Sequence, residues 1–459
     1  MTALPRVQPR EWTATGIACC LVVAAGAGIA KDPVVAGISG GVALVALAVV
    51  FPVMGLLATL VLGILQYSLT KAYPILPTSF TLVDDVLVLA LFLRWIGAVG
   101  LRRTSPPIWF VGCAGVWLGM AAINLTLNGV EATWALEAVR SMFLPLLLYP
   151  IACQYAGSER IVTLFLRTIV LVILACGVVA VIQAATIGGI GDKAYGLLGP
   201  GGANVLGFIL LLGFVVVLSS PRGATWRLVA AALLIGGIVA SGARAALVAS
   251  PIVLLPLLRG RRGKVALVLG GICVVLASGY LAIGAFSHSG LDSSSLLSPR
   301  AVLNSQRNAS QCGRLLYLEA LPRVFRGDTS KWLVGVGAGQ YTSVVGTQRR
   351  APAYLKERPS SSTSSTGYAF ADLGWTTILG EYGVLGLICV LLILARPASR
   401  SLRSQMTLHQ LPPARQTLAR AVPAVVFVGM AASLIVNAFE YQPFAYPLWL
   451  LLGLYEDTS

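Results

Sequence analysis

Ionisable side chains inside apolar segments are the residues of this sequence best suited to chemistry. Arg140 lies in EATWALEAVRSMFLP, three residues after Glu137, and Arg244 lies in SGARAAL. Charged residues within membrane segments are costly and usually mark a pathway or a site. Arg140 therefore either pairs with Glu137 one helical turn away or faces such a site. Arg244 either extends to the outer membrane interface or points into an outward-facing cavity.

Two acidic residues lie in an apolar segment near the end of the chain, YAFADLGWTTILGEYGVLGL. Asp372 and Glu381 are about two and a half turns apart at 3.6 residues per turn, so they lie on nearly opposite faces of a helix. They do not form a carboxylate pair on one surface. Asp372 stands near the start of this helix, where it either caps the helix or contacts a substrate from the outer side.

The composition indicates which elements position these residues. The chain has 459 residues, of which 57% are hydrophobic and 11% charged, and its mean hydropathy is +0.84. Soluble domains carry about 25% charged residues, so this chain has too few charges to cover a water-facing surface. Apolar runs of this kind predict membrane-spanning helices. The predicted segments are residues 14–30, 34–50, 53–69, 81–98, 108–125, 137–154, 161–186, 203–219, 226–241, 245–259, 265–286, 371–395, 420–438 and 442–456.

The predicted fold class is an all-α polytopic membrane protein with roughly 12–14 transmembrane helices, because an open sheet edge cannot be satisfied in lipid. A closed barrel would need shorter segments with alternating hydropathy. We divide the chain into transmembrane helices 1–11 (1–286), one large, partly helical extracytoplasmic loop (287–370) and C-terminal transmembrane helices (371–459).

The basic residues predict the orientation of these helices. With a cytoplasmic N-terminus and alternating segments, the basic clusters at 102–103, 222–227, 259–264 and 396–420 all fall in cytoplasmic connections. This distribution follows the positive-inside rule. It places both termini in the cytoplasm and accounts for the net charge of +16 without nucleic acid.

The loop at 287–370 is an exception, because it is predicted to lie outside and yet is basic. It has eight arginines and two lysines against four acidic residues, a net charge of +6. Arginine surfaces suit phosphate, since the guanidinium fork donates two parallel hydrogen bonds. The alternative is a basic, solvated loop with incidental contacts to lipid headgroups.

Parts of this loop have recognisable patterns. Gly313–Phe325 has apolar residues at helical spacing and predicts an amphipathic helix. The glycine-rich GVGAGQY (335–341) predicts a tight turn rather than a phosphate cradle, because no βαβ context surrounds it. PSSSTSST (359–366) is of low complexity.

Cysteine and histidine do not indicate disulfide or metal chemistry. Seven of the eight cysteines lie in or beside apolar segments, and Cys312 alone falls in the large loop. We therefore interpret them as small apolar packing residues. Two histidines, His288 and His409, and the absence of a CxxC pair argue against a metal site.

Four motifs resemble the bacterial O-antigen ligase and O-antigen polymerase superfamily (the Wzy/WaaL type). YGLLGPGGANVLGFIL (195–210) resembles its Gly-Pro-Asn entry into a membrane segment, and SGARAAL (241–247) its turn between two short segments. RLLYLEALPRVF and WLVGVGAGQY (314–325 and 332–341) resemble the helix and the GxG part of its periplasmic loop. DLGWTTILGEYGVLGL (372–387) resembles its closing motif. The likeness covers residues 195–390, and the first half agrees only in hydropathy.

The resemblance implies a GT-C-like integral-membrane glycosyltransferase at the outer face of the bacterial inner membrane. Its donor would be an undecaprenyl-pyrophosphate-linked oligosaccharide, and it would need neither a metal nor a nucleotide sugar. The polymerases join repeat units to one another, whereas the ligases transfer the glycan to lipid A–core. The ligases have a histidine at the start of the closing motif. This chain has Asp372 there, which favours a polymerase.

The resemblance also suggests roles for individual residues. Arg244 and Arg314 would hold the pyrophosphate, and a carboxylate would accept the proton of the acceptor hydroxyl. Asp372 is the first candidate base. The remaining candidates are Glu319 as a second base, Arg140 and Arg300 as helpers at the pyrophosphate, and Tyr317 and Tyr368 as residues that stack on sugars.

Two other classes of function remain open from the sequence. A transporter or flippase for an anionic lipid or polysaccharide would also use intramembrane arginines, but such proteins commonly have inverted repeats, which this sequence lacks. A non-catalytic assembly scaffold is the other alternative. In the enzyme interpretation the partners are the lipid-linked donor, a glycan or lipid A–core acceptor, the bilayer and a chain-length regulator, with no nucleic acid.

Overall fold

The structure is a computed structural model that describes residues 33–72, 82–101, 107–187, 194–199, 202–221, 223–258, 321–326, 328–348 and 374–456. All regular structure in these ranges is helical, without a strand. The expected all-α class is therefore confirmed for this part of the chain. The predicted segments 14–30 and 265–286 lie outside the described residues.

The chain divides into two compact units, and the smaller comprises Met1–Thr104 with Leu197–Gly199. Its helices are α1 (Pro33–Val50), α2 (Pro52–Tyr67) and α3 (Val83–Gly100), and a π-helical turn at Ser68–Ala72 follows α2. The break between α1 and α2 falls where Pro52, in the first turn of α2, lacks the amide needed to continue α1. Each of the three helices packs against the other two.

The larger unit comprises Ser105–Gly196 and Pro200–Ser459. Its helices are α4 (Ile108–Leu127), α5 (Ala132–Leu146), α6 (Leu148–Cys153), α7 (Glu159–Ile187), α8 (Ala203–Ser219), α9 (Ala224–Ala240), α10 (Arg244–Leu254), α11 (Thr329–Val334), α12 (Val344–Gln348), α13 (Gly374–Ser404), α14 (Pro413–Ser433) and α15 (Gln442–Tyr455). Residues 321–324 form a further helical turn.

Helix α8 lies at the centre of this unit. Its sequence, ANVLGFILLLGFVVVLS, is apolar around the whole circumference, which is typical of a helix surrounded by protein. It packs against α7, α9, α10 and α14, and all but one of its residues are buried. Outward-facing residues of other helices are large and apolar, such as Leu171 and Ile182 of α7, which are 61% and 55% exposed. Such a surface suits lipid rather than water.

Five helical segments in the described ranges are long and apolar enough to cross a membrane. They are Ile108–Leu127, Ala132–Cys153, Glu159–Thr186, Gly374–Ser404 and Pro413–Ser433. Four other apolar helices are shorter, including α8 and α9. This chain is therefore a helical membrane protein. Every predicted segment that the structure describes coincides with a helix, although several helices begin or end a few residues away from the predicted bounds.

Candidate functional site

Glu381, in the first third of α13, is fully buried and surrounded by backbone amides. Its Oε2 accepts a hydrogen bond from the Gly339 N–H at 2.7 Å. Its Oε1 accepts from the N–H groups of Tyr341 and Ser343, each at 3.0 Å. A buried carboxylate needs such partners, because an unpaired buried charge is very costly. Residues 335–344, which we call the glycine-rich segment, thus wrap around a carboxylate of their own chain.

A break in α13 provides further acceptors for this segment. Gly383 has φ 66° and ψ −168°, so the regular helix is interrupted there. The carbonyl oxygens of Gly380 and Glu381 would otherwise accept from amides four residues later. Instead they accept from the N–H groups of Val336 and Gly337, at 2.8 Å and 3.1 Å. The break therefore lets one strip of α13 bind the segment through backbone as well as side-chain oxygens.

Two glycines allow the segment and the helix to approach this closely. A Cβ on Gly383 would lie 2.3 Å from the Leu333 carbonyl oxygen, and a Cβ on Gly335 would lie 2.3 Å from the Glu381 carbonyl oxygen. Both residues also have positive φ angles, 66° and 83°. Any other residue at either position would meet a steric clash and backbone strain.

A second carboxylate, Glu440, lies beside Glu381. It belongs to the connection between α14 and α15, it is 7% exposed, and its Oε2 accepts from the Val344 N–H at 2.9 Å. Burial, and then the charge of neighbouring Glu381, raise the pKa of Glu440 to about 8, although the Val344 amide opposes this. Near neutral pH, Glu440 therefore keeps its proton, and the pair avoids holding two negative charges.

Three polar side chains join the same elements a few residues away. The Thr342 and Thr377 hydroxyls are 2.9 Å apart, and the Thr377 hydroxyl donates to the Asn437 Oδ1 at 3.1 Å. The Asn437 Nδ2 donates to the Thr342 carbonyl at 3.0 Å. The glycine-rich segment, α13 and the connection between α14 and α15 thus form one hydrogen-bonded junction, which we call the carboxylate junction.

Helices α4 and α5 cover the other side of the segment. The Asn124 Nδ2 of α4 donates to the Val334 carbonyl at 2.6 Å. Trp134 of α5 packs against a small buried cluster formed by Leu321, Phe325, Val336 and Tyr341. Three helices, α4, α5 and α13, and the connection between α14 and α15 therefore converge on this one part of the large loop.

A second charged cluster lies around Glu456, at the end of α15. Its carboxylate is almost fully buried and accepts from Arg400, from the Arg396 Nε at 3.4 Å and from the Tyr149 hydroxyl at 2.9 Å. The Arg396 guanidinium also lies 4.7 Å from the centre of the Trp109 ring, a cation–π contact. Both arginines bind this carboxylate, so we interpret the cluster as a connection between α6, α13 and the end of α15 rather than as an anion site.

Most of the site residues proposed from the sequence lie outside the described residues. They are Asp372, Glu319, Arg314, Arg300, Tyr317 and Tyr368. Arg244 is the first residue of α10, but its side chain is likewise not described. Arg140 lies exposed on α5, three residues after Glu137. The predicted convergence of Arg244, Arg314 and Asp372 stays a prediction.

The carboxylate junction was only partly visible in the sequence. The tight-turn interpretation of GVGAGQY agrees with the positive φ angles of Gly335, Gly337 and Gly339. Neither Glu440 nor the amide partners of Glu381 were predicted from the sequence. The signal that could have indicated them was the acid Glu440 in NAFEYQP, between two apolar segments, together with the acid Glu381 inside the apolar segment 371–395.

The arrangement determines what each carboxylate can do. Glu381 has both oxygens engaged by amides, so it positions the loop and has little capacity to accept a substrate proton. In the part of the chain that the structure describes, no three His, Cys, Asp or Glu side chains come together to hold a metal. No protein-family model and no curated protein matches this chain.

Proposed function

We propose that this protein is a membrane glycosyltransferase of the O-antigen polymerase type. It joins undecaprenyl-pyrophosphate-linked oligosaccharide repeat units at the outer face of the bacterial inner membrane. The observation that carries the proposal is the junction itself. Two of the motifs that resemble the family, 332–341 and 372–387, are bound to each other through Glu381 and Gly380. If the resemblance of these two motifs to the family were coincidental, there would be no reason for them to bind each other.

The pattern of contacts supports the proposed orientation. The glycine-rich segment, the end of α4, the start of α5 and the connection between α14 and α15 are all assigned to the outer side, and they contact one another. Arg396, Arg400, Glu456 and Tyr149 are assigned to the inner side and also contact one another. If one membrane segment between these positions were miscounted, residues that contact one another would be assigned to opposite sides of the membrane.

The proposed chemistry is displacement at the anomeric carbon of the donor. The acceptor hydroxyl oxygen forms a bond to that carbon while its proton passes to the Asp372 carboxylate. The bond from the same carbon to the pyrophosphate oxygen breaks, and its electron pair leaves with undecaprenyl pyrophosphate. Arg244 and Arg314 stabilise the charge on that leaving group, since preorganised cations act most strongly where charge develops. Glu381 contributes by holding the loop that precedes Asp372.

The experiment is a reconstituted assay with the purified protein and a lipid-pyrophosphate oligosaccharide. A ladder of products that differ by one repeat unit is the expected result. Transfer to added lipid A–core would instead identify a ligase, the nearest alternative, because both enzymes use the same donor. Movement of the intact lipid across the bilayer without a new glycosidic bond would identify a flippase and contradict the proposal.

Two substitutions test the assigned roles in the same assay. Asp372→Asn should abolish the ladder while donor binding is retained, because Asn cannot accept the proton. Arg244→Lys should also lose most activity, since Lys lacks the bidentate fork. Asp328→Asn is the matched control, because Asp328 is an acid of the large loop that precedes Asp372 and Asn can replace it as the cap of α11. Normal ladders from Asp372→Asn would exclude Asp372 as the base.

A further inference from the structure

A groove lies at the opposite end of the larger unit from the carboxylate junction, where the end of α8 and the starts of α9 and α14 meet the side of α7. The cavity has a volume of about 180 Å³. The buried side chains of Leu166, Val170 and Val216 form its apolar floor, and the exposed Arg167 and Trp226 also line it. None of the described residues that line it is acidic.

The lengths of the helices place this groove at a membrane surface. Helix α7 has 29 residues, about 43 Å at 1.5 Å per residue, and it exceeds a hydrocarbon core of about 30 Å. Its first turns carry Glu159 and Arg160 while its second half is apolar, so its N-terminal end projects. Helix α8 ends at Ser219 and α14 begins at Pro413 beside these turns, and both Pro413 and Ser220 line the groove.

Arg167 is the one cationic side chain among the described residues that line this groove, and it is not used by the fold. Its side chain is exposed and makes no hydrogen bond or ion pair with any residue that the structure describes. Glu159, the acid two turns before it on α7, is bound to the Ala414 amide at 2.6 Å and caps α14. Trp226, which is 36% exposed, is the residue type that prefers the headgroup level of a bilayer.

We propose that this groove binds one anionic phospholipid of the surrounding bilayer. The phosphate accepts hydrogen bonds from the Arg167 guanidinium, and an acyl chain follows the apolar floor past Leu166, Val170 and Val216. A cation beside an apolar channel, with no acid among the described lining residues, matches a phospholipid with net negative charge, since a zwitterionic lipid would bring its own ammonium group to Arg167. The site is independent of glycosyl transfer and of the proposed function.

The test is native mass spectrometry of the purified protein in a mild detergent with added phosphatidylglycerol or phosphatidylethanolamine. One phosphatidylglycerol should be retained preferentially. Arg167→Gln should weaken this retention roughly five- to tenfold, because a cation near a lipid phosphate contributes about 1 kcal/mol or slightly more. Arg167→Lys should lose less than Gln, since it keeps the charge.

Arg160→Gln is the matched control. Arg160 is an exposed arginine on the same helix, also without a partner among the described residues, but it does not line the groove. Its substitution should leave retention unchanged. Equal retention of both lipids, an equal loss in Arg160→Gln, or displacement of phosphatidylglycerol by undecaprenyl pyrophosphate at matched concentration would each overturn the proposal. Circular dichroism of each variant checks that the helices are intact.

Discussion

Glu381 shows how a single side chain can organise a loop of a membrane protein. Three N–H groups within five residues donate to its two oxygens. Because Glu381 is fully buried, a side chain that faces water could not take its place. Since each unmet buried hydrogen-bonding group costs about 1–3 kcal/mol, the three amides of the glycine-rich segment that donate to Glu381 depend strongly on this one carboxylate.

We expect Glu381→Gln to loosen the segment. The Gln oxygen can accept from Tyr341 and Ser343, but its NH₂ group would face the Gly339 N–H, so one amide loses its acceptor. Deuterium exchange in residues 335–344 should become at least about fivefold faster, since losing a single hydrogen bond of this kind costs more than about 1 kcal/mol. Glu131→Gln, an exposed acid before α5, is the control. Unchanged exchange in Glu381→Gln would contradict the anchoring role.

Glu440 predicts a pH dependence of stability. Its pKa is about 8 in the folded protein against an ordinary value of 4.5, so the folded state binds the proton more tightly than the unfolded chain does. The stability that this proton confers is fully present below about pH 4.5 and is lost as the pH rises through about 8. The thermal midpoint in detergent should fall from pH 5 to pH 8.

Glu440→Gln should remove most of this fall. Gln mimics the protonated carboxyl at every pH and keeps an oxygen for the Val344 amide. At pH 8 the variant should therefore melt at least a few degrees above the parent, whereas at pH 5 the two should be similar. Parallel curves for the parent and the variant would show that another group is responsible.

Among the elements, the interrupted helix α13 could not be deduced from hydropathy. The apolar pattern runs through ILGEYGVLGL without a change, so the sequence predicts a continuous helix. The interruption depends on Gly383 in a positive-φ conformation and on partners more than forty residues away in the chain. Helix positions were predictable because they follow from local hydropathy. The junction was not, because its acceptors and donors are brought together only by the fold.

Gly383→Ala tests this element directly. The substitution adds a Cβ 2.3 Å from the Leu333 carbonyl and favours a continuous helix that would reclaim the carbonyls of Gly380 and Glu381. We expect a loss of at least about 2 kcal/mol of stability, from strain and lost hydrogen bonds together. Gly119→Ala on α4 has open space around its Cβ and should be neutral or slightly stabilising. The thermal midpoints of both variants would decide the matter.

On the scale of the whole molecule, the carboxylate junction and the charged cluster around Glu456 are assigned to opposite sides of the membrane. This assignment can be measured by labelling from one side. Glu131 lies before α5 on the side of the carboxylate junction, and Gly157 lies in the exposed turn before α7 on the other side. In a chain whose native cysteines are replaced, Glu131→Cys should react with a membrane-impermeant maleimide in intact spheroplasts. Gly157→Cys should react only after permeabilisation. Labelling of both from the same side would contradict the proposed topology.

The positions of the apolar helices were the part of the architecture that the sequence predicted best, and α8 at Ala203–Ser219 coincides with the predicted 203–219. The parity of the segments, inferred from positive charges in short connections, stays a prediction. The proposed catalytic group lies largely in residues that the structure does not describe. The sequence alone places Asp372 and Arg314 near the same loop, and it says nothing of their distance.

The junction also sets an order for the synthesis of this protein. The amides of residues 339–344 come early, whereas their acceptors at 381 and 440 emerge from the ribosome later. Until α13 is synthesised, the amides of residues 339–343 lack the Glu381 carboxylate, and the Val344 amide meets Glu440 only after nearly a hundred further residues. The glycine-rich segment is therefore fixed in place only late in synthesis. In the proposed topology this interval is spent outside the membrane, where the net positive charge of the loop would favour its hydration.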